Sequence, residues 1–313
     1  MMKFLKKFAV FFIVLVLLNG CAQTKPETAD QPEQTEEIQE EIIEETDEVP
    51  EEEPSEMTEE KPLFSFIELE NAVPVSFDID LDGEMEKVAF YETETGEFPT
   101  AITVEETDGI VYDFTTEFLY ETRVFIGNFD FENPYFLFHG DIASADYESY
   151  CLRYADGQFT ICGMQENALE EAGSVLYAYI DTINEDGTII FKKAMDYLGT
   201  WVAERPFVMK DGAIIPCEGS LWEIHDTETY HRPSIKTMID IPVVFMENGV
   251  EKAGSLAAQT EIYITAVTDD DKVMFITAID GKEGCIQLSA KDYEWMIEGT
   301  SEYDCFEYLP YAG

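Results

Sequence analysis

The sequence predicts an all-β protein. Short segments rich in β-branched and aromatic residues recur along its length, turn signals divide them at close intervals, and helical periodicity is nearly missing. The strands expected in order are residues 72–77, 87–92, 101–105, 110–114, 150–154, 158–162, 188–191 and 261–266. Between and beyond them fall Thr95-Gly96, Asp108-Gly109, Asp156-Gly157, Asp186-Gly187, Asp211-Gly212, Asn248-Gly249 and Asp280-Gly281, pairs suited to tight hairpins. Helices are expected only at residues 165–172 and 290–297. Two helices cannot alternate with this many strands, which argues against a doubly wound α/β fold and hence against a transporter-type solute-binding protein.

The first residues read as a leader. Lys3, Lys6 and Lys7 precede an apolar run of 11 residues from Phe8 to Leu18, then Asn19, Gly20 and Cys21. A membrane-spanning helix needs about 20 apolar residues, so a cleaved signal peptide at 1–20 is the better reading. Its end resembles the bacterial lipobox, which implies a diacylglyceryl group on Cys21 and a chain held at the outer face of the cell membrane by lipid. Residues 22–62 then carry 17 Asp and Glu against two Lys, with no aromatic residue. Such a segment cannot bury a core, and we read 21–62 as the lipidated Cys followed by a disordered, self-repelling linker of at most ~135 Å reach.

From Cys21 onward, 15 Lys and Arg face 67 Asp and Glu. Nucleic acid is excluded as a partner, because phosphate binding needs clustered cations. About 250 residues beyond the linker, rich in Phe, Tyr, Val and Ile, suffice for one large or two modest domains.

The sharpest chemical signature is Asp78, Asp80, Asp82, Gly83 and Glu86. Acids at positions 1, 3, 5 and 9, with the backbone carbonyl of Glu84 at position 7, make an oxygen cage suited to calcium. An EF-hand needs an acid at position 12, where Ala89 stands, and helical flanks, where strands are expected. The run FDIDLDGEMEKVAFYE instead resembles the calcium loop of FG-GAP and VCBS-type repeats, in which such a loop joins two strands. A weaker copy at Asn128, Asp130 and Glu132 is interrupted by Pro134 and is assigned no metal.

The segments VFIGNFDFENPYFLFHG, YESYCLRYADGQFTICG and INEDGTIIFKKAMDYLGTW are together similar to exported clostridial and bacillar proteins. In those, an Asp-rich β domain precedes a bacterial Src-homology-type barrel. The resemblance implies a first domain over residues 63–235, either a partial, propeller-like stack or a β-sandwich, since 173 residues are too few for a closed seven-bladed propeller. Residues 236–313 resemble the small SH3-like barrel: a strand at 241–245, a Gly-containing loop, a strand at 261–266, a hairpin at 273–277 and Asp280-Gly281-x-x-Gly284. Such barrels bind cell-wall peptides or act as spacers. Cys285 stands where an aromatic usually follows the last Gly, and Phe275 substitutes for a Trp.

Catalytic readings find little. His139 is read as a loop histidine, and His225 and His231 as surface ones whose spacing of six suits no metal pair. Cys217 and Cys285 do not occupy the strand-to-helix start of a nucleophile. Cys151 and Cys162 face each other if Asp156-Gly157 is a two-residue turn, leaving a disulfide open to them; two small apolar residues in a sheet is the other reading. The expectation is a non-enzymatic, lipid-anchored extracytoplasmic binding protein using calcium, with a peptidoglycan peptide or a surface protein as partner. The alternative is a wall-polymer hydrolase or inhibitor using carboxylates.

Overall fold

A computed structural model of the chain describes residues 64–92, 100–116, 120–142, 146–164, 176–225 and 233–311. The leader, Cys21, the acidic linker, Thr95-Gly96, the helix expected at 165–172 and His231 lie outside the described residues. Strand β1 (Phe66–Leu69) is followed by an antiparallel meander of β2 (Val75–Phe77), β3 (Glu86–Tyr91), β4 (Thr100–Glu105) and β5 (Val111–Thr116). A second meander comprises β6 (Tyr120–Gly127), β7 (Tyr135–Asp141), β8 (Tyr147–Ala155) and β9 (Gln158–Ile161), and β1 joins it on the β6 edge. After β10 (Gly163–Met164), a third consists of β11 (Tyr179–Ile183), β12 (Ile189–Asp196), β13 (Thr200–Lys210) and β14 (Ala213–Pro216). Parallel pairing of β10 to β14 adds a further strand.

The third meander continues without a break. β15 (Trp222–Ile224) pairs with both β13 and β19 (Glu261–Val267), and β16 (Ile235–Lys236) also pairs with β19. From β19 the sheet runs through β20 (Lys272–Thr277) and β21 (Glu283–Gln287) to β17 (Ile241–Glu247) and β18 (Val250–Leu256), making twelve strands. The strands on either side of the boundary expected at 235/236 therefore share one hydrogen-bonded sheet. Among the described residues no sheet closes into a barrel. Gly284 lets β17, β20 and β21 crowd together: a Cβ there would lie 2.7 Å from the Phe275 ring and 2.8 Å from the Val244 carbonyl.

Turn chemistry sets much of this register. Asp156-Gly157, Asp211-Gly212 and Asn248-Gly249 are two-residue turns with positive φ at both positions, joining Ala155 to Gln158, Lys210 to Ala213 and Glu247 to Val250. The last of these extends the strand expected at 241–245 and makes a second strand, β18, where a Gly-containing loop was expected. The helix expected at 290–297 is instead a hairpin of β22 (Ser289–Lys291) and β23 (Glu294–Ile297), with β24 (Thr300–Ser301) beside it. Asp292 and Tyr293 turn it, at φ +49° and +71°. A four-residue helical turn, α1 (Glu302–Cys305), is capped by the Ser301 hydroxyl.

The middle layer is the five-stranded sheet, whose central strands are buried on both faces. Val124, Ile126, Phe136, Phe138, Leu152 and Tyr154 pack on Val88, Phe90, Ile102 and Val104 of the first meander. The alternate residues Phe125, Tyr135, Leu137 and Cys151 belong to the core shared with Ile180, Ile189, Phe191 and Phe207 of the large sheet. This two-sided burial explains the unbroken apolar runs 124–126 in β6 and 135–138 in β7.

Candidate cation site

The loop 78–85 joins β2 to β3, whose ladder ends at the pair Phe77 and Glu86. Leu81 and Gly83 take positive φ, +64° and +90°, and curl the chain inward. Backbone amides are tied by the loop's own acids: Gly83 N donates to Asp78 Oδ2 at 3.2 Å, Asp82 N to Asp80 Oδ1 at 3.3 Å and Glu84 N to Asp82 Oδ1 at 2.7 Å. Ile79 plugs into the core between the sheets, and its N–H donates to Glu86 Oε2 at 2.9 Å.

Glu86 is the unusual member. Its side chain is 0 % exposed, and Glu86 Oε1 and Asp78 Oδ1 are both buried without a hydrogen-bond donor. Asp78, Asp80 and Glu86 bring one oxygen each to within 4.8 Å of one another. Burial, with Asp80 and Glu106 nearby, pushes the Glu86 pKa up against the opposing Ile79 N–H. Three oxygens this close suit a single ion with contacts of about 2.3–2.6 Å, which spans roughly 5 Å across. Buried carboxylate oxygens without donors are costly unless a proton or a cation meets them.

Of the four acids expected to form the site with the Glu84 carbonyl, the structure gathers Asp78, Asp80 and Glu86, and the Asp82 side chain is not among the gathered oxygens. Asp82 caps the loop, and the Glu84 carboxylate accepts from the Thr107 hydroxyl in the next turn. Glu106, beside Thr107, accepts from the Tyr154 hydroxyl on β8. The loop, the β4–β5 turn and the middle sheet thus meet at this cluster, a convergence that no local motif encodes.

The second loop repeats the backbone of the first. Phe129 is buried like Ile79, and Phe131 takes φ +66° as Leu81 does. Its acid, however, is fully satisfied by protein donors. Asp130 accepts from Glu132 N at 2.9 Å, Asn133 N at 2.7 Å, Asn133 Nδ2 at 3.1 Å and the Tyr135 hydroxyl at 2.8 Å. Burial raises its pKa, but these donors outweigh it and the net shift is downward. Asn128 Oδ1 is taken by Ser65 N. The donors stand where a cation would otherwise be required.

His139 is not a loop residue: it sits on β7, 3 % exposed, between Tyr147 and Tyr179, with Nδ1 accepting from Ile180 N at 3.0 Å. Burial and the Arg123 charge push its pKa down to about 4, partly opposed by Glu68. Because the folded value lies below the ordinary one near 6.5, the unfolded chain takes up the proton first. The stability is fully present above about pH 6.5 and is lost as pH falls toward 4, by up to about 3 kcal/mol. Urea denaturation of His139→Gln at pH 7 and at pH 4.5 should show a smaller acid loss than the unsubstituted chain; an equal loss would assign it to other groups.

His225 Nε2 lies 3.1 Å from Glu204 and 3.5 Å from Glu223 at the surface. Cys217 lies beyond β14, where its N–H donates to Pro206 O, and Cys285 is buried on β21. Cys151 and Cys162 do stand opposite one another, with Cys162 N donating to Cys151 O at 2.8 Å, and both are free thiols here. No protein-family model, curated protein or solved structure matches the chain.

Proposed function

We propose that this chain is a non-catalytic, calcium-dependent binding protein. The single observation that carries the reading is Glu86, a fully buried carboxylate with one oxygen lacking a donor, placed against Asp78 and Asp80. A divalent cation there offsets two of the three carboxylate charges and locks the loop onto the core through Ile79, holding the first meander against the middle sheet. Calcium suits an all-oxygen carboxylate site better than zinc or copper does.

The finer fold reading is propeller-like stacking of blades in the first part and an opened Src-homology-type unit in the last. Three consecutive four-stranded meanders, with the middle one covered on both faces, support the first. The β19 to β21 meander, with β17 returning to β21, supports the second. On this reading the chain is a lipoprotein held to the outer face of the cell membrane through Cys21, and it recognises a peptidoglycan peptide or a surface protein.

The test is cosedimentation of the full-length protein with purified cell-wall sacculi, in calcium and in chelator. Calcium-dependent pelleting that is weakened by Asp80→Ala supports wall recognition. Equal amounts in the supernatant under all conditions would remove the wall as partner.

A further inference from the structure

A second site lies well away from the cation loop in sequence. A cleft of about 570 Å³ opens beside β12 and β15, with walls from Tyr177, Lys193, Asp196, Tyr197, Trp222 and the 268–271 turn. That volume lies in the range of small-molecule sites. Its walls are braced. Tyr197 stacks on Trp295 at 4.6 Å, Trp295 Nε1 donates to Asp196 O at 2.6 Å, and Trp201 Nε1 donates to Tyr197 O at 2.8 Å. A rigid wall of this kind lowers the ordering cost of binding.

The cleft carries both signs of charge. The Lys193 ammonium lies 4.4 Å above the Trp222 ring, and burial with the neighbouring Arg205 pushes its pKa down to about 8, so that it is still mostly protonated at neutral pH. Opposite in sign are Asp196, Asp269 and Asp271. Asp269 is committed to Arg205 through two hydrogen bonds of 2.6 and 3.0 Å, whereas Asp271 Oδ1 accepts from the Tyr197 hydroxyl at 3.1 Å. Trp222 supplies an independent observation. It is 1 % exposed, and its Nε1 is buried without an acceptor, while both other indoles are satisfied. Trp222 also forms part of the cleft wall, and an acceptor brought to its Nε1 relieves that orphan donor.

We propose that this cleft binds a small zwitterion, an amino acid or dipeptide, with its carboxylate at Lys193 and Trp222 and its ammonium at Asp271 and Asp196. The overall charge decides between ligand classes. Beyond residue 62 the chain carries 50 acids against 13 Lys and Arg, so a simple anion is repelled before it arrives. A simple cation meets Lys193 inside, with Asp269 already held by Arg205. A ligand of zero net charge suffers neither repulsion and can satisfy both ends.

The experiment is an NMR titration of the full-length protein labelled with ¹⁵N at its three tryptophan indoles, Trp201, Trp222 and Trp295. The probes are alanine, alanyl-alanine, N-acetylalanine, alaninamide and acetate. The expected result is a saturable shift of the Trp222 signal with alanine or alanyl-alanine, the tighter of the two identifying the ligand size. The blocked probes and acetate should bind at least about tenfold more weakly, as should the zwitterion to Lys193→Gln or Asp271→Asn. No saturable shift with either zwitterion overturns the proposal, and so does equal binding of the blocked probes. Should Lys193→Gln fail to fold, the comparison of free with blocked probes on the unsubstituted chain decides.

Discussion

Calcium in excess of its dissociation constant should raise the melting temperature of the full-length protein, and chelator should reverse the change. At about one hundred times the dissociation constant, the linkage contributes about 2.7 kcal/mol. For a folded unit of this size that is a shift of roughly 5–10 °C. Glu86→Gln gives the sharper form of the test, because it keeps the shape of a fully buried side chain while removing its charge. The calcium-induced rise should disappear in this variant. In chelator, the same variant should be as stable as the unsubstituted chain or more so, since a like charge beside Asp80 has gone. Asp80→Ala should likewise lose the calcium response. Identical melting curves with calcium and with chelator in the unsubstituted chain would end the cation reading.

Asp269→Ala should cost about 3–5 kcal/mol in urea denaturation, among the largest effects open to a single substitution. Arg205 on β13 is 4 % exposed, and the Asp269 carboxylate in the β19–β20 turn meets its guanidinium bidentately, with Ser220 Oγ taking Nε at 3.1 Å. Removing Asp269 takes a bidentate carboxylate from a buried cation. Removing both partners, as Arg205→Met with Asp269→Leu, should recover most of the loss; a double variant as unstable as the single one would show that the pair is not the cause. The pair also ties residues before 235 to residues after it, alongside the pairing of β15 with β19. A chain cut at 235 should therefore lose cooperative unfolding rather than behave as an independent domain.

Turns were legible where a glycine marked them, although the strands β13, β14 and β18 beside two such turns were not. Asp156-Gly157 and Asp211-Gly212 announce their hairpins because Gly accepts the left-handed conformation without strain. Asp292-Tyr293 makes the same turn without glycine, so residues 290–297 kept a helical appearance that tertiary pairing overrode. β1 escaped notice because its partner, β6, lies about 60 residues away. In the cation loop the alternation of Asp78 and Asp80 and the placement of Glu86 could be read directly. The depth of Glu86 could not, since it depends on the middle sheet closing over the loop. His139 looked like a loop residue for a related reason: a polar residue inside a strand buried on both faces gives no local sign of it. The cleft was invisible in the sequence because Lys193, Trp222 and Asp271 are far apart in the chain and meet only where β12 and β15 come to lie beside the 268–271 turn.

The placement of β1 bears on how this fold would carry load. Its four residues pair with Val124 to Gly127, Glu68 grips Arg123 through two hydrogen bonds of 2.6 and 3.0 Å, and Ser65 N is tied to Asn128. Gly127 permits the close approach, since a Cβ there would lie 2.6 Å from that of Phe66. Residues 70–119 leave the chain at one side of this clasp and return at the other. A pull arriving from the N-terminal side of residue 64 is transmitted through the clasp into the middle sheet and bypasses that whole excursion. The first meander and its acidic loop lie within that excursion, so the clasp must open before tension can run along the chain through them.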